Sequence, residues 1–403
     1  MSFARLSVGQ AEQSLGLGHD LRDRERLAAD AVFVHDRRRR APTGRRAVPQ
    51  TVNIGVAFGK LRTLHDGMGE FALQLGRRLA AQAPRLAEEG IRLHFHMRPE
   101  RFGLFGDAVR YVPVATTQKL FHAPGPRFAL WHRLHQQISH RAPLGTAHHM
   151  VTVHDFNYLY AKQGVSRLLH AFKGRLKLLG ADLVVTDTRY VAGDVRGHGG
   201  FRGPVETIHL GARSLVGDPQ EPVEGVEAGR YLFHLSRMAA SKNMAAILGL
   251  AASWPEQGFV LAGPASGSVE AVRAEVAARG LPNVRILTDV SDAQKAWLYA
   301  SCAGFLFPSF TEGFGLPPLE AMHFGKPAFL STLTCLPEIG GEEAWYFRDF
   351  EAVSMRRVVE QGLREAALPG RAEAIRRQAA RFSWDACADA YLALYRRLAG
   401  VPA

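Results

Sequence analysis

Two glutamates lie eight positions apart in the segment FPSFTEGFGLPPLEAMHFGKP, residues 307–327. Glu312 comes before Gly313 and Gly315, and Glu320 comes after them. The glycines would let the backbone approach a ligand closely, and the carboxylates would accept hydrogen bonds from that ligand. Spacing alone leaves an alternative for each acid: Glu312 as an exposed loop residue, and Glu320 as an acid that stabilises the first turn of a helix.

Two cations lie in a second connection, or corner, between a predicted strand and a predicted helix. Arg237 and Lys242 follow the apolar run YLFHLS, residues 231–236, and precede a predicted helix that begins near Met244. The N–H groups of a helix start and positive side chains attract the same anions. This corner therefore predicts a diphosphate site, and the alternative is a pair of solvated loop cations.

Apolar strand-like runs alternate with helical stretches along most of the chain. The first set of runs is residues 51–59, 91–97, 149–156, 182–188 and 205–211. The second set is residues 231–236, 259–264, 284–288, 303–309 and 327–332. Strands this apolar, separated by helices, predict parallel sheets that are covered on both faces. The sequence therefore predicts an α/β fold with two doubly wound, Rossmann-like domains that face each other across a cleft.

The boundaries of these domains follow from changes in composition. Residues 51–213 form the predicted first domain, and residues 230–382 form the second. Residues 214–229 are rich in Pro, Gly and acids and predict a linker. Residues 383–403 predict an amphipathic helix that could pack on either domain. Residues 1–50 contain the run DRRRRAPTGRR and predict a disordered basic leader; the alternative is an arm that contacts nucleic acid or lipid.

Local signals place the two corners relative to their helices. Pro317 and Pro318 suit the start of a helix, where a missing N–H costs little, and this puts Glu320 about three positions into that helix. Ser291 and Gln294 form a capping box for another helix. In an open parallel sheet, ligands bind beyond the carboxyl ends of the strands, and both corners lie there.

The composition limits the classes of function. A chain of 403 residues with 47% hydrophobic residues fits about two soluble domains. The three cysteines are widely spaced and make neither a disulfide framework nor a zinc pattern, which favours a reducing, cytoplasmic setting. Neither a membrane-spanning run nor a secretory signal is predicted. The net charge of +12 suits phosphates, anionic membranes or nucleic acid without choosing among them.

Further motifs stand in a fixed order along the chain. GMGEFALQLGRRLA and MVTVHDFNYLY come first, followed by SRMAASKN and FVLAGP. LPNVRILTDVSDAQKAWLYASCAGFLFPS, FPSFTEGFGLPPLEAM and STLTCLPEIGG come after them. This order, with an Arg-x4-Lys and a Glu-x7-Glu pattern, resembles the retaining glycosyltransferases of family 4, which have the GT-B fold. The resemblance runs from about Thr51 to the C-terminal helix.

The resemblance implies roles for residues of the second domain. Glu312 would hold hydroxyls of the donor sugar, because a carboxylate accepts from two hydroxyls at once. Glu320 would hold the ribose hydroxyls of the nucleotide. The diphosphate would be bound by two cations and two backbone N–H groups: Arg237, Lys242, Gly315 and Leu316.

The resemblance also implies roles in the first, acceptor-side domain. Gly67 and Gly69 match glycines of the family's N-terminal loop and would help to bind the nucleotide-sugar. His154 occupies the position that reaches the donor sugar across the cleft, and the alternative is a hydrogen-bonded structural histidine at a strand end. Ser236 and Glu70 depart from the family, which often has a glycine and a basic residue at these positions.

The implied reaction moves a hexosyl group, mannosyl among the candidates, from a UDP- or GDP-linked sugar to an acceptor hydroxyl with retention at the anomeric carbon. Its implied setting is bacterial cell-envelope polysaccharide or lipopolysaccharide synthesis, with a glycan or lipid-linked acceptor. No cofactor, metal or nucleic acid is expected, in agreement with the lack of an Asp-x-Asp motif. Two alternatives stay open: a hydrolysing sugar-nucleotide epimerase of the same fold, and a non-catalytic nucleic-acid-binding protein that uses the arginine run.

One more segment, SRLLHAFKGRLKLLG at residues 166–180, predicts an amphipathic helix. Its apolar face consists of Leu168, Leu169, Phe172, Leu176 and Leu179. Its remaining surface carries the cations Arg167, His170, Lys173, Arg175 and Lys177. The simpler interpretation is a helix packed on the first sheet. We also expect its cations to contact an anionic membrane surface, at about 1 kcal/mol each.

Overall fold

The computed structural model describes residues 51–59, 67–156 and 164–401, and it describes residues 165–168 as backbone only. The prediction of a basic leader in residues 1–50 therefore lies outside the described residues. The remainder is built around two parallel sheets.

The first sheet contains seven strands: β1 (Val52–Ala57), β2 (Ile91–Met97), β3 (Arg110–Pro113), β4 (Phe128–Arg133), β5 (His148–Val153), β6 (Leu183–Thr186) and β7 (Val205–Thr207). Their order is β3-β2-β1-β4-β5-β6-β7, and all neighbours are parallel. The first set of predicted runs is confirmed as β1, β2, β5, β6 and β7. The sequence did not predict β3 and β4, because β3 is a short edge strand without a fully buried residue and β4 ends in polar residues.

The second sheet contains six strands: β8 (Tyr231–Leu235), β9 (Gly258–Gly263), β10 (Val284–Thr288), β11 (Gly304–Phe307), β12 (Ala328–Ser331) and β13 (Trp345–Phe347). Their order is β10-β9-β8-β11-β12-β13, again with parallel neighbours. All five runs of the second predicted set are confirmed, and only the three-residue edge strand β13 was missed. The strand order reverses between β8 and β11, and such a reversal opens a ligand-binding crevice at the carboxyl ends of the two strands.

Helices connect the strands: α1 (Gly67–Glu88), α2 (Gly164–Leu178), α3 (Arg189–Gly197), α4 (Met244–Ala252), α5 (Gly267–Ala278), α6 (Asp292–Ser301), α7 (Leu316–His323), α8 (Leu336–Gly340), α9 (Ala352–Ala366), α10 (Arg371–Ala380) and α11 (Trp384–Ala399). The predicted capping box is confirmed at α6, where the Ser291 hydroxyl accepts from the N–H of Gln294 at 3.0 Å. Helix α7 begins at Leu316, one residue before the first proline. Glu320 is therefore its fifth residue, slightly deeper in the helix than predicted.

The helix predicted at the end of the sequence is α11, and it packs on α1, β1 and β4 of the first domain. Two of its tyrosine hydroxyls reach buried polar groups of the first sheet. Tyr395 lies 2.7 Å from Nδ1 of His132, and Tyr391 lies 2.9 Å from the hydroxyl of Thr152. The C-terminal helix thus returns to the first domain and completes its core. Within the described residues, none of the helices is both long and apolar enough to cross a bilayer.

Candidate active site

The loops after β8 and β11 form one continuous surface, because these strands are neighbours in the second sheet. The N–H of Phe310, just after β11, donates to the carbonyl of Ser241 in the β8–α4 loop at 2.8 Å. The two corners singled out in the sequence therefore meet at the point where the strand order reverses.

The closest contact in this surface joins Lys242 and Glu312. The ammonium group lies 2.5 Å from Oε1 of Glu312, and the two side chains are only 13% and 12% exposed. Lys242 also lies 5.3 Å from the ring centre of Phe307, on the side where the π electrons attract a cation. The structure thus brings together a cation from one corner and a carboxylate from the other.

The loop that carries Arg237 is held by a buried histidine that the sequence did not single out. His234 donates from Nδ1 to the carbonyl of Leu306 at 2.8 Å, so its Nε2 accepts from the Ser236 hydroxyl at 2.7 Å. The Ser236 oxygen accepts in turn from the N–H of Met238 at 2.9 Å. Burial lowers the pKa of His234 to about 4, which keeps the ring neutral. The serine found where the family often has glycine therefore fixes the turn at Arg237.

Arg237 itself is exposed, and its side chain makes neither a hydrogen bond nor an ion pair with any residue that the structure describes. Only its carbonyl is engaged, by the Ser268 hydroxyl at 2.8 Å. Arg237 comes five positions before Lys242 along the chain, and its guanidinium does not join the Lys242–Glu312 pair. It is therefore available to an anion at this edge of the sheet.

The start of α7 offers backbone donors to the same surface. Gly315 has a left-handed backbone with φ of 115°, which a side chain would strain. The first N–H groups of a helix have no partner within the helix. Because Pro317 and Pro318 carry no N–H, the donors remaining at this helix start are those of Gly315 and Leu316.

Glu320 is half-buried one turn further along α7. The Tyr299 hydroxyl donates to its Oε2 at 2.8 Å. Burial raises the pKa of Glu320, and the negative charge of Glu70 acts in the same direction, whereas Lys295 and Tyr299 oppose the rise. Glu70 lies in the first turn of α1 and accepts from Gln74 at 2.9 Å. The carboxylate of Glu320 is thus placed near the first domain as well as in the second.

His154 departs from its predicted orientation. Its ring is buried, with Nδ1 2.6 Å from the Asp187 carboxylate and Nε2 2.8 Å from the carbonyl of Leu134. Both ring nitrogens are therefore committed to the protein, which is the structural alternative and leaves no ring atom free for a donor sugar. Burial alone would lower the pKa of His154, but the adjacent carboxylate outweighs burial and raises it.

The backbone of His154, by contrast, lies directly against the glutamate loop of the second domain. A Cβ atom on Gly313 would stand 2.2 Å from the His154 carbonyl oxygen, so only glycine fits at this contact. The close approach predicted for Gly313 is therefore an approach to the first domain. Gly67 and Gly69 are the first and third residues of α1, and Gly69 is buried. The loop before them, residues 60–66, is outside the described residues.

Three comparisons with known proteins bear on this surface. Residues 220–357 match the family model described as glycosyl transferases group 1. The serotype-specific mannosyltransferase WbdA of Escherichia coli is 41% identical over 102 residues, which cover 25% of this chain and 12% of that protein. The O-antigen chain mannosyltransferase B of Escherichia coli is 38% identical over 120 residues, which cover 28% of this chain and 30% of that protein. The chain thus spans less than a third of the length of these relatives.

The solved structures extend the likeness to the fold. HepE of Anabaena, in complex with UDP and glucose, superimposes with a TM-score of 0.64 at 15% identity and covers 86% of this chain and 100% of that one. The resemblance inferred from the ordered motifs is confirmed at the level of the group 1 family. Residues 220–357 match the glycosyl transferases group 1 family model, within a chain that has the GT-B fold of two Rossmann-like domains.

Proposed function

We propose that the protein is a retaining glycosyltransferase that moves a hexosyl group, with mannose as the first candidate, from a nucleoside-diphosphate sugar to an acceptor hydroxyl. The observation that supports this most is the Lys242–Glu312 pair at the reversal of strand order, with the exposed Arg237 in the same β8–α4 loop as Lys242. Mannose is chosen because the two relatives from Escherichia coli are named mannosyltransferases. The name of the second relative also favours a cell-envelope glycan as acceptor.

Different residues of the site would bind the diphosphate, the sugar and the ribose of the donor. Arg237, Lys242 and the N–H groups at the start of α7 would hold the diphosphate and stabilise the charge that develops on the leaving phosphate oxygen. That oxygen would take the proton of the acceptor hydroxyl on the same face of the sugar, which gives retention. Glu312 would accept hydrogen bonds from the sugar, and Glu320 from the ribose. The donor would thereby replace part of the Lys242–Glu312 contact with its own phosphate oxygens.

Incubation with UDP-, GDP- and ADP-linked sugars, with and without EDTA, tests this function. We expect slow donor hydrolysis or transfer from UDP- or GDP-linked hexoses, with release of the nucleoside diphosphate. EDTA should leave the rate unchanged, because the proposed charge stabilisation uses side chains and backbone donors. A strict metal requirement would contradict the mechanism, failure of all three donor classes would contradict the function, and release of nucleoside diphosphate together with an epimerised free sugar would favour the epimerase.

We also propose that α2 brings the protein to an anionic membrane surface, where a lipid-linked acceptor would lie. The expectation that its apolar face packs inward is wrong. Four apolar side chains of α2 and of the residue directly after it are between 49% and 69% exposed, namely Leu169, Phe172, Leu176 and Leu179. Their spacing of three and four residues makes one stripe, and the exposed cations Lys173 and Arg175 lie on either side of it. The apolar stripe therefore joins the cations in the proposed contact.

Vesicle sedimentation tests the contact through α2. The wild-type protein should bind vesicles that contain anionic lipid in a salt-sensitive way and should not bind neutral ones. Changing Phe172 and Leu176 to serine should weaken binding by at least about 10-fold, because two large apolar side chains no longer enter the interface. Val353→Ser, which removes a side chain that is 70% exposed on α9, is the matched control and should not weaken binding.

Changing Lys173 and Arg175 to glutamine should remove the salt sensitivity of this binding. If the serine and glutamine variants bind anionic vesicles like the wild type, α2 is not the membrane contact.

A further inference from the structure

One carboxylate of the second domain is bound to the first turn of a helix in the first domain. Glu338 in α8 accepts from the backbone N–H of Arg189 at 2.9 Å and from that of Tyr190 at 3.3 Å. It also lies 2.7 Å from Nε2 of His209, which follows β7 in the first domain. A negative charge is favoured at a helix start, and here the start of α3 receives that charge from the other domain.

The helix does not need Glu338 for its own cap. Thr188 precedes α3, and its hydroxyl accepts from the N–H of Val191 at 3.2 Å, as an N-cap residue does. The N–H groups of Arg189 and Tyr190 remain, and Glu338 takes both of them. The carboxylate is 17% exposed, so water has only partial access to this contact.

The same corner of the first domain also holds the loop of Glu312. The Thr188 hydroxyl donates to the carbonyl of Gly313 at 3.2 Å. On the other side of that loop, the N–H of Glu312 donates to the Thr334 hydroxyl at 3.2 Å, and the Cys335 thiol lies 3.0 Å from the carbonyl of Phe314. Cys335 is the residue before α8. The Glu312 loop and α8 are therefore joined to each other, and both contact the corner at the start of α3.

We propose that Glu338 is a positioning residue that latches the two domains in the closed arrangement and so sets the place of Glu312 relative to the first domain. This role rests on the proposed glycosyl transfer. The latch consists of hydrogen bonds to groups that water can also satisfy, so it can open and close reversibly. Donor binding at Lys242 and Arg237 leaves the latch partners untouched. The latch therefore controls closure over a bound donor and leaves donor capture unchanged.

The variants Glu338→Ala and Glu338→Gln test the latch, with Glu342→Gln as the control, because Glu342 is an exposed neighbour in the same segment. The interdomain distance is measured by energy transfer between dyes, one on each domain, in the presence of UDP or GDP. We expect Glu338→Ala to shift the population to longer distances, and Glu338→Gln to shift it less because one acceptor oxygen remains. Glu342→Gln should match the wild type.

Kinetics and binding give the second readout. We expect Glu338→Ala to lower kcat/KM for the donor by at least about 10-fold, because losing one charge-assisted hydrogen bond has an effect of about this size. The Kd of the nucleoside diphosphate should stay within about twofold, because its ligands in the second domain are intact. An unchanged interdomain distance in both variants would overturn the latch. If the wild type transfers no sugar, the proposed function fails, while the distance measurement still decides on the latch.

Discussion

Replacing Lys242 with alanine is expected to lower kcat by at least about 100-fold, the scale of removing one group that stabilises transition-state charge. The reason lies in where the ammonium group stands. It is at the carboxyl end of the second sheet, between the start of α4 and the Glu312 carboxylate 2.5 Å away. In the proposed reaction, a departing nucleoside diphosphate would gain negative charge at this place, and a cation already in position would stabilise it without reorganisation.

The pairing of Lys242 with Glu312 makes a double-mutant cycle informative. Each single alanine variant leaves a half-buried charge without its partner, so each is expected to lose most of the activity. The double variant should lose little more than either single one, since groups that act as a unit are not additive. Turnover is measured with the best donor from the screen, and thermal unfolding checks that each variant folds.

Lys326→Ala is the control for the Lys242 variants. Lys326 lies just before β12, at the amino ends of the strands of the same sheet, whereas Lys242 lies at their carboxyl ends. Lys326 should therefore be dispensable for turnover. Near-normal turnover in Lys242→Ala or in Glu312→Ala would show that the site is elsewhere.

The second large effect is on stability and concerns the buried pair of His154 and Asp187. Asp187→Asn is expected to lower the free energy of unfolding by about 3–5 kcal/mol, the cost of leaving one member of a buried ion pair without its partner. The carboxylate and the imidazole are 2% and 9% exposed and lie 2.6 Å apart. Denaturant titration measures the loss.

A surface pair of the same residue types provides the control. His148 and Asp182 lie 3.8 Å apart and are 44% and 48% exposed, so Asp182→Asn should cost about 1 kcal/mol or less. If the two asparagine variants lose the same stability, burial does not strengthen the His154–Asp187 pair.

The dependence of this effect on pH follows from the direction of the His154 pKa. The folded state raises the pKa of His154 above its unfolded value of about 6.5. The stabilisation is therefore fully present below about pH 6.5 and is lost as the pH rises through the higher, folded pKa. The difference in unfolding free energy between wild type and Asp187→Asn should shrink in alkaline solution. A difference that grows with pH would contradict a charged His154.

The buried strands could be predicted from the sequence because parallel strands covered on both faces are continuously apolar. The two corners after β8 and β11 could be predicted as well, since each has its cations or carboxylates directly behind such a run. The contact between Lys242 and Glu312 could not, because it depends on β8 and β11 being neighbours, and they are 70 positions apart along the chain at this contact.

The sequence did not determine which neighbours the side chains of these elements would face. The orientation of the His154 ring depends on its contact with Asp187, and the two residues are 33 positions apart along the chain. In α2, the apolar periodicity was recognised correctly, but periodicity does not say which side the rest of the protein covers. Glu338 was within a recognised motif and was not singled out, because its partners belong to the other domain.

Because α11 returns to the first domain, that domain can complete its core only after the second sheet has been synthesised. Tyr395 and its partner His132 are 263 positions apart. At a synthesis rate of about 5–20 residues per second, the ribosome needs about 13–50 s to cover that distance. During this interval β8 to β13 emerge and can pair among themselves, while the earlier sheet still lacks the tyrosines that complete its interior. The order of folding during translation is therefore expected to be the reverse of the order of synthesis, with the sheet made first waiting longest for its last helix.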